Sequence, residues 1–159
     1  MTTEQPIAAF SQYANEILRL ISNWKCNTSE MPSLCIKRIL NGKTTNALKR
    51  LVELEDRKNN GIFFTSTELS TKIVSRIKSL LNNGATVFDP ACGAGNLLLS
   101  CLYHFPQKST LNDTLELWSD KLYGYDLFNE FVLTAKLRFI LYAISLFPLS
   151  CLSSLLSPF

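Results

Sequence analysis

The sequence has one histidine, His104, and five cysteines, of which no two are spaced as Cys-x-x-Cys. A structural zinc site needs a cluster of cysteine and histidine ligands, and a disulfide framework needs an even number of cysteines. We therefore expect no metal site and no disulfide framework, and we expect a reducing, cytoplasmic compartment. The first ten residues lack a basic start followed by an apolar run, so no secretory signal is expected there.

Charged residues are also scarce, at 18% of the 159 residues, and the formal net charge is only +3. That excess is too small by itself to indicate a nucleic-acid-binding protein. It lies in residues 1–60, which carry nine basic and six acidic residues, whereas residues 61–159 carry seven of each. A surface that faces phosphates would explain this bias, and ordinary solvated helix faces explain it more simply.

No charged residue occurs from Phe139 to Phe159, a run long enough to raise the question of a membrane span. Five serines and two prolines, Pro148 and Pro158, interrupt this run and make it a poor spanning helix. We therefore predict the end of a buried helix, then a loop and at most an interrupted strand, with no membrane contact.

Apolar residues at steps of three and four predict several helices in the first half of the chain. The predicted helices cover 7–24, a shorter segment from Pro32 to Leu40, 45–57, and a segment that ends near Leu81. The predicted inward residues are Ile7, Phe10, Ala14, Ile17, Leu18, Ile21 and Trp24 in the first helix, Leu48, Leu51, Val52 and Leu54 in the third, and Leu69, Ile73, Ile77 and Leu80 in the fourth. Asn-Gly and Asn-Asn-Gly sequences separate them. We interpret residues 1–60 as a helical N-terminal cap and residues 61–159 as a ligand-binding part.

The stretch TVFDPACGAGNLLL, Thr86–Leu99, reads as a short strand, an acidic turn at Asp89, a glycine-rich bend and the start of a helix. Glycines let a backbone approach a ligand closely, and a helix start offers N–H groups without partners. This arrangement is typical of nucleotide sites in α/β folds. Cys92 within it could be a nucleophile, but a small buried thiol explains it better because no base is near in the sequence.

A second strand is predicted at KLYGYD, Lys121–Asp126, with Asp126 at its end. An acidic residue at this place in a nucleoside-binding fold accepts hydrogen bonds from ribose hydroxyls. The segment 105–120 before this strand is polar, and we predict an irregular insertion there. A helix is predicted from Asn129 to about Leu146. His104 is expected to end the helix that begins at Asn96, as a polar residue and not as a ligand.

These motifs together resemble those of the adenine-N6 DNA methyltransferases of type I and related restriction-modification systems, which use S-adenosylmethionine (SAM). The run DPACGAGNLL is similar to the family's SAM motif, and LYGYD fits its strand of form Ile/Leu-x-Gly-x-Asp. The segment GIFFTS looks like the family's Gly-x-Phe/Tyr-Phe/Tyr-Thr-Pro segment, with Ser66 in place of proline. An aromatic pair packed on a core would also explain Phe63 and Phe64, but their position some twenty residues before Asp89 favours the resemblance.

The resemblance implies an α/β fold with a Rossmann-like SAM-dependent methyltransferase sheet that is incomplete at the C-terminus. It also implies roles for individual residues. Phe63, Phe64 and Thr65 would close over the methionine end of SAM, and Asp126 would hold the ribose. The full set of cofactor-binding residues that it implies is Phe63, Phe64, Thr65, Asp89, Pro90, Ala91, Gly93, Gly95, Asn96, Asp126 and Leu127.

The family's second signature, Asn/Asp-Pro-Pro followed by an aromatic residue, is absent, because no two prolines of the sequence are adjacent. In the family this signature holds the flipped adenine. No residue is therefore assigned to methyl transfer, and we interpret the chain as a truncated SAM-binding portion of a DNA methyltransferase, inactive alone.

DNA would be the partner of the complete enzyme, and a specificity subunit or complementary methyltransferase subunit is a further expected partner. Two alternatives stay open: a fragment of an RNA or protein methyltransferase, and a non-enzymatic subunit or remnant that completes its fold on a partner.

Overall fold

The computed structural model describes residues 7–26 and 33–147. Helices predominate, and two short strands lie between them in the chain. In chain order the elements are a 3₁₀ turn (Ala8–Phe10), α1 (Ser11–Cys26), α2 (Ser33–Arg38), a kinked turn (Ile39–Lys43), α3 (Thr44–Leu51), α4 (Leu54–Asn59), α5 (Thr67–Asn82), β1 (Val87–Asp89), α6 (Asn96–Leu102), α7 (Leu111–Ser119), β2 (Leu122–Gly124) and α8 (Asn129–Ser145).

The strands β1 and β2 pair in parallel, with Val87 opposite Leu122 and Asp89 opposite Gly124. Both strands therefore end at the same edge of the sheet, and the glycine-rich bend and Asp126 follow at that edge. The sequence prediction of two strands with these acidic residues at their ends is confirmed. In the described part of the chain the sheet has these two strands, which is a partial α/β arrangement.

One hydrophobic core joins the N-terminal helices to the segment around the sheet. Helix α1 packs on α8, and α5 packs on α6. The predicted stripe of α1 is largely confirmed, because Phe10, Ala14, Ile17 and Ile21 are buried, although Leu18 is 46% exposed. The predicted division at residue 60 stays a prediction, since the core residues on both sides of it form a single cluster.

The single helix predicted over 45–57 is wrong. Helix α3 ends at Leu51, and Val52 is extended with φ −124° and ψ 121° before α4 begins. This extended backbone turns the Val52 side chain into the core, where it is 1% exposed, and the Arg57 Nε donates to the Val52 carbonyl across the break at 3.1 Å. Leu54 was predicted to face inward and is instead 50% exposed.

The predicted inward stripe of α5 is also wrong for three of its four members. Leu69, Ile73 and Leu80 are 50%, 39% and 58% exposed, whereas Val74 and Leu81 are buried. The face that packs on α6 is rotated by one residue, about 100° around the helix axis. Two stripes with helical spacing exist in this segment, and packing against α6 selects the less apolar one.

The irregular insertion predicted over 105–120 contains helix α7, so that prediction is wrong too. The Thr110 side chain accepts a hydrogen bond from the Asp113 N–H at 3.1 Å and caps the helix. Trp118 is buried, donates from Nε1 to the Pro106 carbonyl at 3.0 Å, and stacks on Tyr142 with 9° between the rings. Two of the polar residues of this segment, Asn112 and Asp113, lie in the first turn of α7, where a carboxylate is favourable.

The predicted loop and interrupted strand after residue 147 lie outside the described residues, as does the start of the second helix at Pro32. Helix α8 ends at Ser145, one residue before its predicted end. Among the described helices, none combines the length and the apolar character that a membrane span requires.

Candidate cofactor site

The bend between β1 and α6 begins with a turn that Asp89 stabilises. Its Oδ1 accepts a hydrogen bond from the Ala91 N–H at 3.1 Å, two residues further on. The Cys92 N–H then donates to the Tyr125 carbonyl at 2.8 Å, which fixes the bend against the segment that follows β2. Gly93 and Gly95 both have positive φ, 51° and 78°, so each occupies a backbone region that residues with a Cβ rarely adopt.

The two glycines face different neighbours. A Cβ on Gly93 would lie 2.9 Å from Cδ1 of Phe64, so the absence of a side chain lets the Phe64 ring pack on the bend. That ring is part of a cluster of edge-to-face aromatics, 4.9 Å from Phe131 and 5.9 Å from Phe10 between centroids. A Cβ on Gly95 would instead lie 2.8 Å from Cζ of Phe139 and 2.9 Å from Cβ of Ala135, both on α8.

Asp126 connects the two strand ends. Its Oδ2 accepts from the Gly93 N–H at 2.8 Å, and its Oδ1 accepts from the Phe128 N–H at 3.1 Å. A carboxylate has about four lone-pair sites, so each oxygen keeps the capacity to accept another hydrogen bond. The carboxylate therefore fixes the bend and still offers acceptors toward a ligand.

A cavity of about 290 Å³ lies beside this carboxylate, close to the lower limit of ~300 Å³ for small-molecule sites. Two of the side chains that line it are largely exposed, Phe63 at 68% and Leu127 at 92%. Seven of the residues predicted from the sequence line it, namely Phe63, Phe64, Pro90, Ala91, Gly93, Asp126 and Leu127. Their role in binding stays a prediction.

The other four predicted residues, Thr65, Asp89, Gly95 and Asn96, are not among the residues that line this cavity. The Asn96 Nδ2 donates to the Thr65 carbonyl at 2.7 Å, so these two connect the GIFFTS segment to the bend. Asp89 caps the turn and Gly95 contacts α8, as described above. In this structure the four support the bend and do not line its open side.

Several residues at the site were not predicted. Asn60, Gly61, Ile62, Phe128 and Phe131 also line the cavity. Phe128 and Phe131 follow Asp126 directly in the sequence, and two aromatics at the start of a helix beside a predicted site are a signal that could have included them. Gly124 was identified only as part of the LYGYD motif. A Cβ there would lie 2.7 Å from Cδ1 of Leu98, so the absence of a side chain lets Leu98 pack on the strand.

The thiol of Cys92 is not activated. It is buried, and burial together with the nearby Asp126 and Asp89 carboxylates raises the pKa of Cys92 from 9.0 to about 11. A thiol with that pKa is almost entirely protonated at neutral pH and is a poor nucleophile. Burial likewise raises the pKa of Cys101 to about 11. These values agree with the interpretation of Cys92 as a small buried thiol.

A larger cavity of about 520 Å³ lies along β2 between α7 and α8. Leu115, Trp118, Phe139 and Ile140 are among the mostly apolar residues around it, and none of the predicted cofactor residues lines it. Within residues 7–26 and 33–147, no group of three or more His, Cys, Asp or Glu side chains could hold a metal ion.

The model of the N-6 DNA methylase family matches residues 48–150, more than half of the chain. The chain belongs to the N-6 DNA methylase family. The matched range includes the bend, both strands and every residue of the predicted cofactor set. No curated protein matches the chain, and no solved structure does.

Family membership confirms the resemblance drawn from the motifs. N-6 DNA methylases are DNA methyltransferases and normally take the methyl group from SAM, so DNA is the substrate that the family implies. The match begins at Leu48, inside α3, and therefore includes part of the helical region before residue 61.

Proposed function

We propose that this chain supplies the SAM-binding portion of an adenine-N6 DNA methyltransferase of a restriction-modification system. The observation that carries the proposal is the position of the Asp126 carboxylate. It lies at the edge of a cavity that the GIFFTS segment and the glycine-rich bend also line, and its oxygens retain free acceptor capacity. The two ribose hydroxyls of a nucleoside can each donate a hydrogen bond to such a carboxylate.

The remaining walls suit the other parts of SAM. Phe63 and Phe64 provide apolar surface beside the bend, and Phe63 and Leu127, which both line the cavity, are largely exposed. We place the ribose at Asp126 and the methionine part between the bend and the Phe63–Thr65 segment. SAM supplies an electrophilic methyl group, and this chain's residues bind and orient it.

The signature that holds the target adenine of DNA in this family is absent from the 159 residues, because the sequence contains no Asn/Asp-Pro-Pro-aromatic run. Methyl transfer to an amino group depends mainly on the alignment of the nitrogen with the methyl carbon. We therefore propose that the chain binds SAM and that transfer to DNA requires groups that these residues do not supply.

Calorimetric titration of the purified chain with SAM tests this proposal. We expect the wild type to bind and Asp126→Ala to bind at least about tenfold more weakly, the loss expected for a hydrogen bond to a charged group. Asp120→Ala is the matched control, because Asp120 is exposed and its removal changes the net charge equally. A folded wild type that does not bind SAM contradicts the proposal.

Asp126 also accepts a hydrogen bond from the Gly93 N–H, so Asp126→Ala removes a contact that supports the bend as well as the proposed contact with the ribose. A SAM analogue that lacks one ribose hydroxyl distinguishes these two effects. Removing a ribose hydroxyl from the ligand should weaken binding to the wild type and have little further effect on Asp126→Ala. An equal penalty in both proteins would show that Asp126 acts only through the bend.

A second candidate is a subunit that completes its fold on a partner chain, and one observation favours it. Phe88, Tyr123 and Tyr125 lie on the same face of the sheet and are 58%, 46% and 65% exposed. Parallel sheets are ordinarily covered on both faces, so this open face is unusual. Aggregation of the isolated chain that co-expression with a complementary methyltransferase subunit prevents would support this candidate, and a stable monomer would contradict it.

A further inference from the structure

We propose that Arg138 is a positioning residue of the cofactor site: it ties the glycine-rich bend to the helical region before residue 61, and SAM affinity depends on that tie. The effect on SAM affinity rests on the proposed function, whereas the effect on the bend itself does not. Arg138 belongs to α8 and does not line the cavity, so it acts through the bend and not on the ligand.

The contacts of the guanidinium group are the first evidence. Its Nη1 donates to the Ala94 carbonyl and to the Asn96 Oδ1 at 2.7 Å, both at the bend. Its Nη2 donates to the Leu40 carbonyl at 3.1 Å, in the turn after α2. One side chain thus joins two backbone segments that are more than fifty residues apart in the sequence.

The contacts continue from Asn96 toward the cavity. While its Oδ1 accepts from Arg138, its Nδ2 donates to the Thr65 carbonyl at 2.7 Å. Phe63 and Phe64, which line the cavity, directly precede Thr65. Arg138 therefore sets the orientation of the Asn96 amide, and the amide sets the distance between the bend and the aromatic wall.

The burial of the Arg138 guanidinium without a carboxylate partner also supports the proposal. Arg138 is 1% exposed, and no carboxylate of the described residues lies within 4 Å of it. Its Nε has no hydrogen-bond partner in the same part of the chain. Burial lowers the pKa of Arg138 to about 10, so the group still carries its charge at neutral pH.

A buried charge of this kind is a poor way to gain stability, because an apolar side chain of similar volume usually costs less. What an arginine adds is geometry: its planar guanidinium holds five N–H donors in fixed directions over a wide fork, whereas a lysine ammonium is a compact charge with three donors on one atom. The retained charge and the divergent acceptors therefore indicate a positioning role for Arg138 at the bend.

The test compares the wild type with Arg138→Lys, which keeps the charge, and with the matched control Arg76→Lys at an exposed position of α5. Two quantities are measured: SAM affinity by calorimetry and hydrogen exchange of peptides that cover the bend. We expect Arg138→Lys to weaken SAM binding by about tenfold, as for the loss of a hydrogen bond to a charged group. Exchange should rise selectively over 91–97 and 36–43, and not over β2 or α7.

A solely structural role would raise exchange throughout the chain in proportion to the loss of stability, and that result would overturn the proposal. Unchanged affinity and unchanged exchange at the bend would overturn it as well. If the wild type does not bind SAM, the proposed function fails, and the exchange pattern still decides the role of Arg138. Should Arg138→Lys not fold, Asn96→Ala removes the same link to Thr65 and must give the selective exchange over 91–97.

Discussion

Replacing Gly95 with alanine tests whether the bend is held against α8 by the lack of a side chain. Gly95 has φ +78°, and a Cβ there would lie 2.8 Å from Cζ of Phe139 and 2.9 Å from Cβ of Ala135. The Phe139 ring can turn aside, but the Ala135 Cβ belongs to the buried face of a long helix and can move only with α8. The bend must therefore shift away from α8 or the helix must move.

The magnitude follows from two contributions. A residue with a Cβ in the left-handed region costs roughly 1–2 kcal/mol, and overpacking a core costs about 1–3 kcal/mol, so Gly95→Ala should lower the free energy of unfolding by about 2–5 kcal/mol. Gly84 provides the matched control, because it has the same φ of +78° and a Cβ there would have nothing within 4 Å. Gly84→Ala should therefore cost only about 1–2 kcal/mol.

Urea unfolding of both variants and the wild type, followed by circular dichroism, measures the two losses under the same conditions. The difference between them isolates the contact with α8 from the backbone strain. Ala135→Gly should cost less stability in the Gly95→Ala variant than in the wild type, because in the variant it also removes one of the two opposing atoms. If the two glycine variants lose equal stability, the close approach to α8 is not what requires Gly95, and the reasoning is refuted.

Three further predictions concern the Ser66 cap and the buried Cys92 thiol. Ser66 caps α5 by accepting a hydrogen bond from the Leu69 N–H at 3.2 Å. Ser66→Ala should therefore lower the free energy of unfolding in urea by about 1 kcal/mol, whereas Ser66→Asp should retain most of it. Equal losses in both variants would exclude the cap. Burial raises the pKa of Cys92 from 9.0 to about 11, so between these pH values the folded state keeps a thiol proton that the unfolded state releases. The contribution of this thiol to the free energy of unfolding should therefore fall as pH rises from about 9 to 11. At pH 8 the Cys92 thiol should accordingly react with iodoacetamide only when the chain unfolds, whereas the half-buried Cys35 should react in the folded protein. Rapid labelling of Cys92 in the folded protein would contradict its burial.

The elements that local chemistry specifies could be predicted from the sequence. Asp89 caps a tight turn, Gly93 and Gly95 supply positive φ, and Ser66 caps a helix, and each of these requirements is met within a few residues. The same is true of the two strands, whose apolar residues are followed by an acidic residue. The family assignment rested on these local motifs, and the family model confirms it.

Tertiary packing decided what the local pattern left open. Helix α5 has two stripes with helical spacing, and only its contact with α6 selects the one that includes Val74 and Leu81. The extended conformation of Val52 likewise depends on the core that receives its side chain. Neither preference exists until the packing partner is in place, so no local rule could have supplied it.

The site shows the same division. Local sequence is enough to identify the residues of the bend and the acidic residue that ends β1 or follows β2. Three features depend on long-range packing: Asp126 reaches the Gly93 N–H, Gly95 contacts α8 and not the cavity, and Arg138 joins the bend to Leu40. Those contacts link residues 33 to 98 positions apart in the chain, and their geometry exists only once the helices have packed around the sheet.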